Sequence, residues 1–218
     1  YISPKTSKTK VPYIVSVELT REILQEIIGK TIELSPTLIN SKAQILYSTK
    51  LEPVTQLMME DSDNFLAEQL LITASVDLHK NIGGKQMIEQ MMNRHLNDLS
   101  QKPIWNDGSG LSRYNLFSPK SIVQLLDKML NEYSEERIFN LMAIGGKSGS
   151  LKNYYRTSQP YVFAKTGGMS NTTTLSGYLK SKSGKTLIFS LMNNNTGLSG
   201  TTVRKENERF LNFVRDQY

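Results

Sequence analysis

The sequence predicts an α/β (α+β) fold in which an antiparallel sheet is flanked by helices. Three observations predict it. Residues 161–165, 173–180 and 186–192 carry strand patterns joined by short links such as Ser181-Lys182-Ser183-Gly184-Lys185, which favours an antiparallel meander. Capped amphipathic segments stand before and after those strands. Finally, 218 residues with 38% hydrophobic and 21% charged content suit one domain with a sizeable core.

Taken in order, residues 1–10 are polar and basic and read as a linker or an extended lead-in. Residues 12–19 alternate as a strand does. Residues 20–28 then show Thr20 as an N-cap, helical apolar spacing and Gly29 at the end. Between 30 and 50 the pieces are short and β-prone, with residues 43–47 the clearest.

A helix runs from Pro53 to about Glu60, and the turn Ser62-Asp63-Asn64 separates it from the next, which reaches Leu78. Ser62 or Asp63 serves as N-cap there. Residues 86–99 form a further helix, with Met87, Ile88, Met91, Met92 and Leu96 as a core-facing stripe rather than a cofactor site. Asn106 to Gly110 is a loop. Ser118-Pro119 opens a helix over residues 119–132, Ser134 starts a shorter one, and Thr202 to Tyr218 closes the chain with Phe210, Leu211 and Val214 inward.

Composition narrows the function. The 26 basic and 20 acidic residues leave +6, a mild excess that suits an acidic polymer, and no aromatic-interleaved basic stripe points to nucleic acid. Without cysteine there is no disulfide, thiol nucleophile or thiolate metal site. His79 and His95 have no Asp, Glu or His partner at metal-ligand spacing, so no metal and no cofactor is expected and both read as structural or surface residues. No apolar run approaches the length of a membrane span, and the start of the chain does not read as a signal peptide. The expectation is a mature chain or a part cut from something longer.

Three stretches carry chemistry. Lys165-Thr166-Gly167-Gly168 ends a buried strand with a cation that can hold a carboxylate, a hydroxyl that can share it, and glycines that admit a ligand backbone. The plain alternative is a solvated turn. About a hundred residues upstream, Ser62-Asp63-Asn64 opens a helix, and Ser-X-Asn followed by Lys-Thr-Gly is a pairing found in penicillin-recognising serine enzymes. The third stretch is Asp107-Gly108-Ser109-Gly110-Leu111-Ser112-Arg113.

That loop, with Gly149-Ser150-Leu151-Lys152, resembles the D-alanyl-D-alanine carboxypeptidase family that includes penicillin-binding protein 4. The matches run in the same order over roughly residues 45–217. The resemblance implies a β-lactamase/transpeptidase-like fold, incomplete at its N-terminus, with residues 1–44 as a lead-in, returning from an inserted domain, and 45–218 as the C-terminal part of the catalytic domain. It implies a serine D,D-peptidase that cleaves peptidoglycan stem peptides through an acyl-enzyme in the periplasm or cell envelope of a bacterium, with β-lactams as ligands of the intact parent.

By the same resemblance, Ser62 relays a proton to the leaving amine, Asn64 bonds the substrate amide, and Lys165 with Thr166 holds the terminal carboxylate. Gly168, following Gly167, gives an oxyanion N–H, and the substrate lies along the open edge of the strand. Leu111, Arg113 and Met169 border the stem-peptide side chain, although an ordinary surface arginine would read the same way. The family's Ser-X-X-Lys nucleophile is the departure. Ser7 and Lys10 have the spacing, but Val11-Pro12 opposes the helix that would align them, so the match is coincidence and the chain alone is expected to be inactive. A non-catalytic wall-binding module of the same fold, a serine β-lactamase-like enzyme and a basic nucleic-acid-binding domain are the alternatives.

Overall fold

The structure is a computed structural model and describes residues 14–36, 44, 47, 49–80 and 82–218. It divides into two units at residue 46, taken here one at a time. The first holds α1 (Val17–Ile28), which Ser16 caps by accepting the Leu19 N–H at 3.1 Å and Gly29 ends at φ 69°. The strand expected over residues 12–19 is therefore corrected for residues 14–19, residues 12 and 13 lying outside the described ones, and so is the Thr20 cap. The Thr20 hydroxyl instead bonds back to the Ser16 carbonyl at 2.8 Å, as a threonine inside a helix does. The β-prone stretch 43–47 lies outside the described residues except for Gln44 and Tyr47, and neither is in a strand.

The second unit begins with α2 (Leu51–Asp61), α3 (Asn64–His79) and α4 (Gly84–Arg94). The helix expected to reach residue 99 stops at Arg94, where His95-Leu96-Asn97-Asp98 turns the chain while keeping Leu96 and Leu99 buried. Next come α5 (Pro119–Glu132), capped by Ser118 with proline in the first turn, and α6 (Glu135–Leu141), capped by Ser134. The strands follow as β1 (Ala143–Ile144), β2 (Val162–Met169), β3 (Thr172–Lys180) and β4 (Thr186–Asn194), before α7 (Gly200–Gln217). Ser199 caps α7, three residues ahead of the expected start.

The sheet order is β1-β2-β3-β4, antiparallel throughout. Alternation along the strands builds two cores. Val162, Ala164, Leu175 and Leu179 join Leu151, Tyr155, Tyr161 and Leu211 on one face. On the other, Tyr178 and Phe163 pack with Leu126, Ile138, Phe139 and Met59, and Phe139 stacks on Phe163 at 4.0 Å. Of the three residues expected inward on α7, Leu211 is buried and Val214 joins the core, but Phe210 is 52% exposed.

The two-residue period places Lys165 on the side of Phe163, the side that carries α2. β1 pairs β2 only at Ala164 and Phe163, so Lys165 to Met169 have strand partners on the β3 edge alone. The strand also runs further than residues 161–165. Lys165-Thr166-Gly167-Gly168 lies inside the ladder, opposite Ser176 to Thr173, because threonine-rich β3 continues the pairing. No helix among the described residues is long and apolar enough to cross a membrane.

Candidate active site

The α2–α3 turn brings the first motif into place. Ser62 ends α2 in the left-handed region, φ 55° and ψ 48°, with its N–H bonded to Met58 O, and Asp63 caps α3 by accepting the Leu66 N–H at 3.0 Å. A non-glycine residue held there carries about 1 kcal/mol of strain. From this turn the Ser62 hydroxyl reaches β2. Lys165 Nζ donates to Ser62 Oγ at 2.6 Å and to the Thr166 carbonyl at 2.8 Å, which joins residues 103 apart in sequence.

Ser62, Asn64, Lys165, Thr166, Gly167, Gly168, Met169, Leu111 and Arg113 all line one cleft of about 1020 Å³. Every residue nominated from the sequence is thus brought together. Among the described residues no ion pair involves Lys165, and its partial burial pulls the ammonium pKa below the usual lysine value. Among the described residues the ammonium thus has hydroxyl and carbonyl partners but no carboxylate.

The Thr166 hydroxyl, expected to share a ligand's carboxylate, donates to Ser150 Oγ at 2.8 Å in this structure. The two glycines also differ. A Cβ on Gly167 would run into the Thr174 hydroxyl of the neighbouring strand, whereas one on Gly168 would meet no atom within 4 Å. Gly167 is therefore confined by the Thr174 side chain, whereas the space beside Gly168 is open.

Two carboxylates missed in the sequence tie loops to α2 and α3, and one of those loops, residues 107–113, lines the cleft. Glu60, near the end of α2, accepts the Ser148 hydroxyl at 2.9 Å, and the Ser148 oxygen accepts the Ile144 N–H at 3.2 Å. Gly149 follows at φ +55°. A Cβ there would lie 2.6 Å from the Glu60 carbonyl, so Gly149→Ala should cost about 2 kcal/mol in a urea-unfolding measurement. A loss under about 0.5 kcal/mol would contradict this contact. Glu68 of α3 accepts the N–H groups of Gly108 at 3.2 Å and Ser109 at 2.9 Å. Neither pairing is visible in the sequence, because the partners lie 88, 40 and 41 residues away.

The loop of residues 107–113 is shaped from within. Asp107 accepts from Gly110 N at 2.6 Å, Ser112 N at 2.7 Å and Asn115 Nδ2 at 3.0 Å. Trp105 Nε1–H donates to the Asp107 carbonyl at 2.6 Å. This frame holds Leu111, 59% exposed, and Arg113 at the cleft, across from Met169 at 36%. The histidines lie elsewhere: His79 ends α3 and His95 follows α4.

Comparison with known proteins settles the family. The profile of the D-Ala-D-Ala carboxypeptidase 3 (S13) family matches residues 19–216. The chain belongs to this family. Among curated relatives, "Carboxypeptidase DacB" of Mycolicibacterium smegmatis is 28% identical over 159 residues, 66% of this chain and 34% of that protein. "D-alanyl-D-alanine carboxypeptidase DacB" of Haemophilus influenzae is 24% identical over 183 residues, 78% of this chain and 37% of the relative. The S13 chain therefore spans about a third of the length of these two relatives.

Solved structures agree on the fold. Penicillin binding protein 4 of Haemophilus influenzae in complex with a β-lactam superposes with a TM-score of 0.68 at 21% identity, covering 92% of this chain and 49% of that one. An extended-spectrum β-lactamase gives 0.57 at 16% identity, covering 76% and 63%. The architecture is the penicillin-binding and β-lactamase fold, as the order of the motifs implied.

Proposed function

We propose that residues 45–218 form the carboxylate-binding side of a serine-type D-Ala-D-Ala peptidase site that acts on peptidoglycan stem peptides in the bacterial periplasm or cell envelope, with residues 1–44 as its lead-in. The observation that carries this reading is the Lys165–Ser62 hydrogen bond at 2.6 Å across an otherwise open cleft. It joins the two motifs that must act together on one peptide terminus. Membership of the S13 family supports it independently.

On this reading, Lys165 binds the terminal carboxylate, where the charge-assisted contact is worth more than a neutral one. The free half of β2 receives the peptide as an added strand, and the Gly168 N–H faces the oxygen that gains charge when the carbonyl is attacked. Ser62, bonded to Lys165, passes a proton to the departing D-alanine amine while Asn64 bonds the substrate amide. The same cleft binds β-lactams in the intact parent. The attacking hydroxyl belongs to a Ser-X-X-Lys helix. Ser7–Lys10 is the one such spacing in the sequence and lies outside the described residues, and the reading assigns it no catalytic part.

The chain by itself should therefore bind without reacting. Titrated with N-acetyl-D-Ala-D-Ala and its L,L enantiomer, it should bind the first and not the second. Intact-mass measurement after benzylpenicillin should show no stoichiometric adduct. Equal binding of the enantiomers would remove the functional reading. An adduct mapped to Ser7 would restore that serine as nucleophile.

A further inference from the structure

We infer that Glu68 is a positioning residue: its carboxylate docks the loop of residues 107–113 onto α3 and so fixes the wall of the cleft that meets a ligand's side chain. The wall assignment rests on the proposed function, whereas the docking does not. Glu68 itself does not line the cleft, but Ala67, Gly108, Ser109 and Gly110 do, so any effect it has on a ligand passes through its partners.

Shape and position of this loop have separate causes. The Asp107 carboxylate closes the loop on itself through Gly110, Ser112 and Asn115. That network would survive if the loop moved as a body. Position comes from α3. The two oxygens of Glu68 each take one backbone N–H, from Gly108 and Ser109, and both bonds are charge-assisted. The same helix touches the loop backbone directly, since a Cβ on Gly108 would lie 2.7 Å from the Ala67 carbonyl and 3.2 Å from Leu71 Cβ. Four residues before Glu68, α3 begins at Asn64 beside Ser62. One rigid helix thus sets the distance between the Ser-X-Asn turn and Leu111 with Arg113.

The consequence is a division of labour within one cleft. Lys165 would anchor the peptide's terminus on β2, while Glu68, acting through the loop, would determine which side chain fits one residue further in. Disturbing Glu68 should change selectivity and leave the anchor alone.

Trp105, the single tryptophan of the sequence, is bonded to Asp107 O at the base of the loop and reports on it without a ligand. Glu68→Ala and Gly108→Ala should each raise acrylamide quenching of Trp105 fluorescence. Glu68→Gln, which keeps one carbonyl acceptor, should give a smaller rise, and the exposed neighbour Gln69→Ala should give none. Glu68→Gln and Gly108→Ala keep the test alive should Glu68→Ala fail to fold. Quenching unchanged in both would overturn the docking.

The second readout separates the two claims. Glu68→Ala should weaken binding of an N-acetyl-Glu-D-Ala-D-Ala peptide, which offers Arg113 a side-chain carboxylate, about tenfold while leaving N-acetyl-D-Ala-D-Ala unchanged, with Glu68→Gln restoring part of the loss. Equal weakening of both peptides would overturn the selectivity role. If the unmodified chain binds neither peptide, the functional reading fails and with it the assignment of the wall, while Trp105 still decides whether Glu68 docks the loop.

Discussion

Replacing Lys165 by methionine should weaken binding of an N-acyl-D-Ala-D-Ala peptide by about 2 kcal/mol, roughly thirtyfold, without destabilising the chain. The two halves of this prediction have one cause. The ammonium is partly buried with no carboxylate beside it among the described residues, so burial pulls its pKa down, and methionine relieves that cost while losing the hydrogen bonds to Ser62 and Thr166, so that the two offset each other. A residue kept for stability would behave in the opposite way. The pH dependence follows with a definite sign. Burial holds the folded-state pKa below the usual lysine value, so carboxylate affinity is present while the ammonium is protonated and is lost as pH rises through that lowered value. Calorimetric titration beside urea unfolding checks both. A variant that binds as before, or that unfolds at lower urea, would count against the assignment.

The largest effect on stability should come from Tyr178→Ala. Tyr178 is 0% exposed, its ring lies 5.6 Å from that of Phe139, and its hydroxyl donates to the Leu126 carbonyl at 2.8 Å, which ties α5 to the centre of the sheet. Burial pushes its phenol pKa up to about 12, with Asp127 adding to the shift. Removing the ring should cost about 4 kcal/mol, a large share of the roughly 5–15 kcal/mol that holds a domain together. Tyr178→Phe keeps the ring and loses the hydrogen bond, for about 1 kcal/mol. If the two variants had the same urea midpoint, the packing described for this face of the sheet would be wrong.

Much of this molecule was legible where the signal was local. Ser118-Pro119 and Ser134 gave α5 and α6 their starts because a cap is a contact across three residues, and both hydroxyls accept the expected N–H. The Lys165 and Ser62 motifs were legible for another reason: their residue types make chemical sense only as a pair. Failures came where tertiary structure overrode local pattern. Val15, Val17 and Leu19 alternate as a strand does, yet Ser16 caps a helix through that region. β1 spans two residues and exists only by its pairing with Ala164 and Phe163. Glu60 and Glu68 looked like ordinary solvated helix residues, and each acquires its role from a loop brought close by folding.

The central claim is that the ammonium of Lys165 and the turn at Ser62 grip a peptide through its free carboxylate. The most direct test compares N-acyl-D-Ala-D-Ala with its C-terminal amide, identical except for the charge, in titrations at neutral pH. The amide should bind at least tenfold more weakly, and the difference should vanish in Lys165→Met. Equal affinity of acid and amide for the unmodified chain would contradict the account.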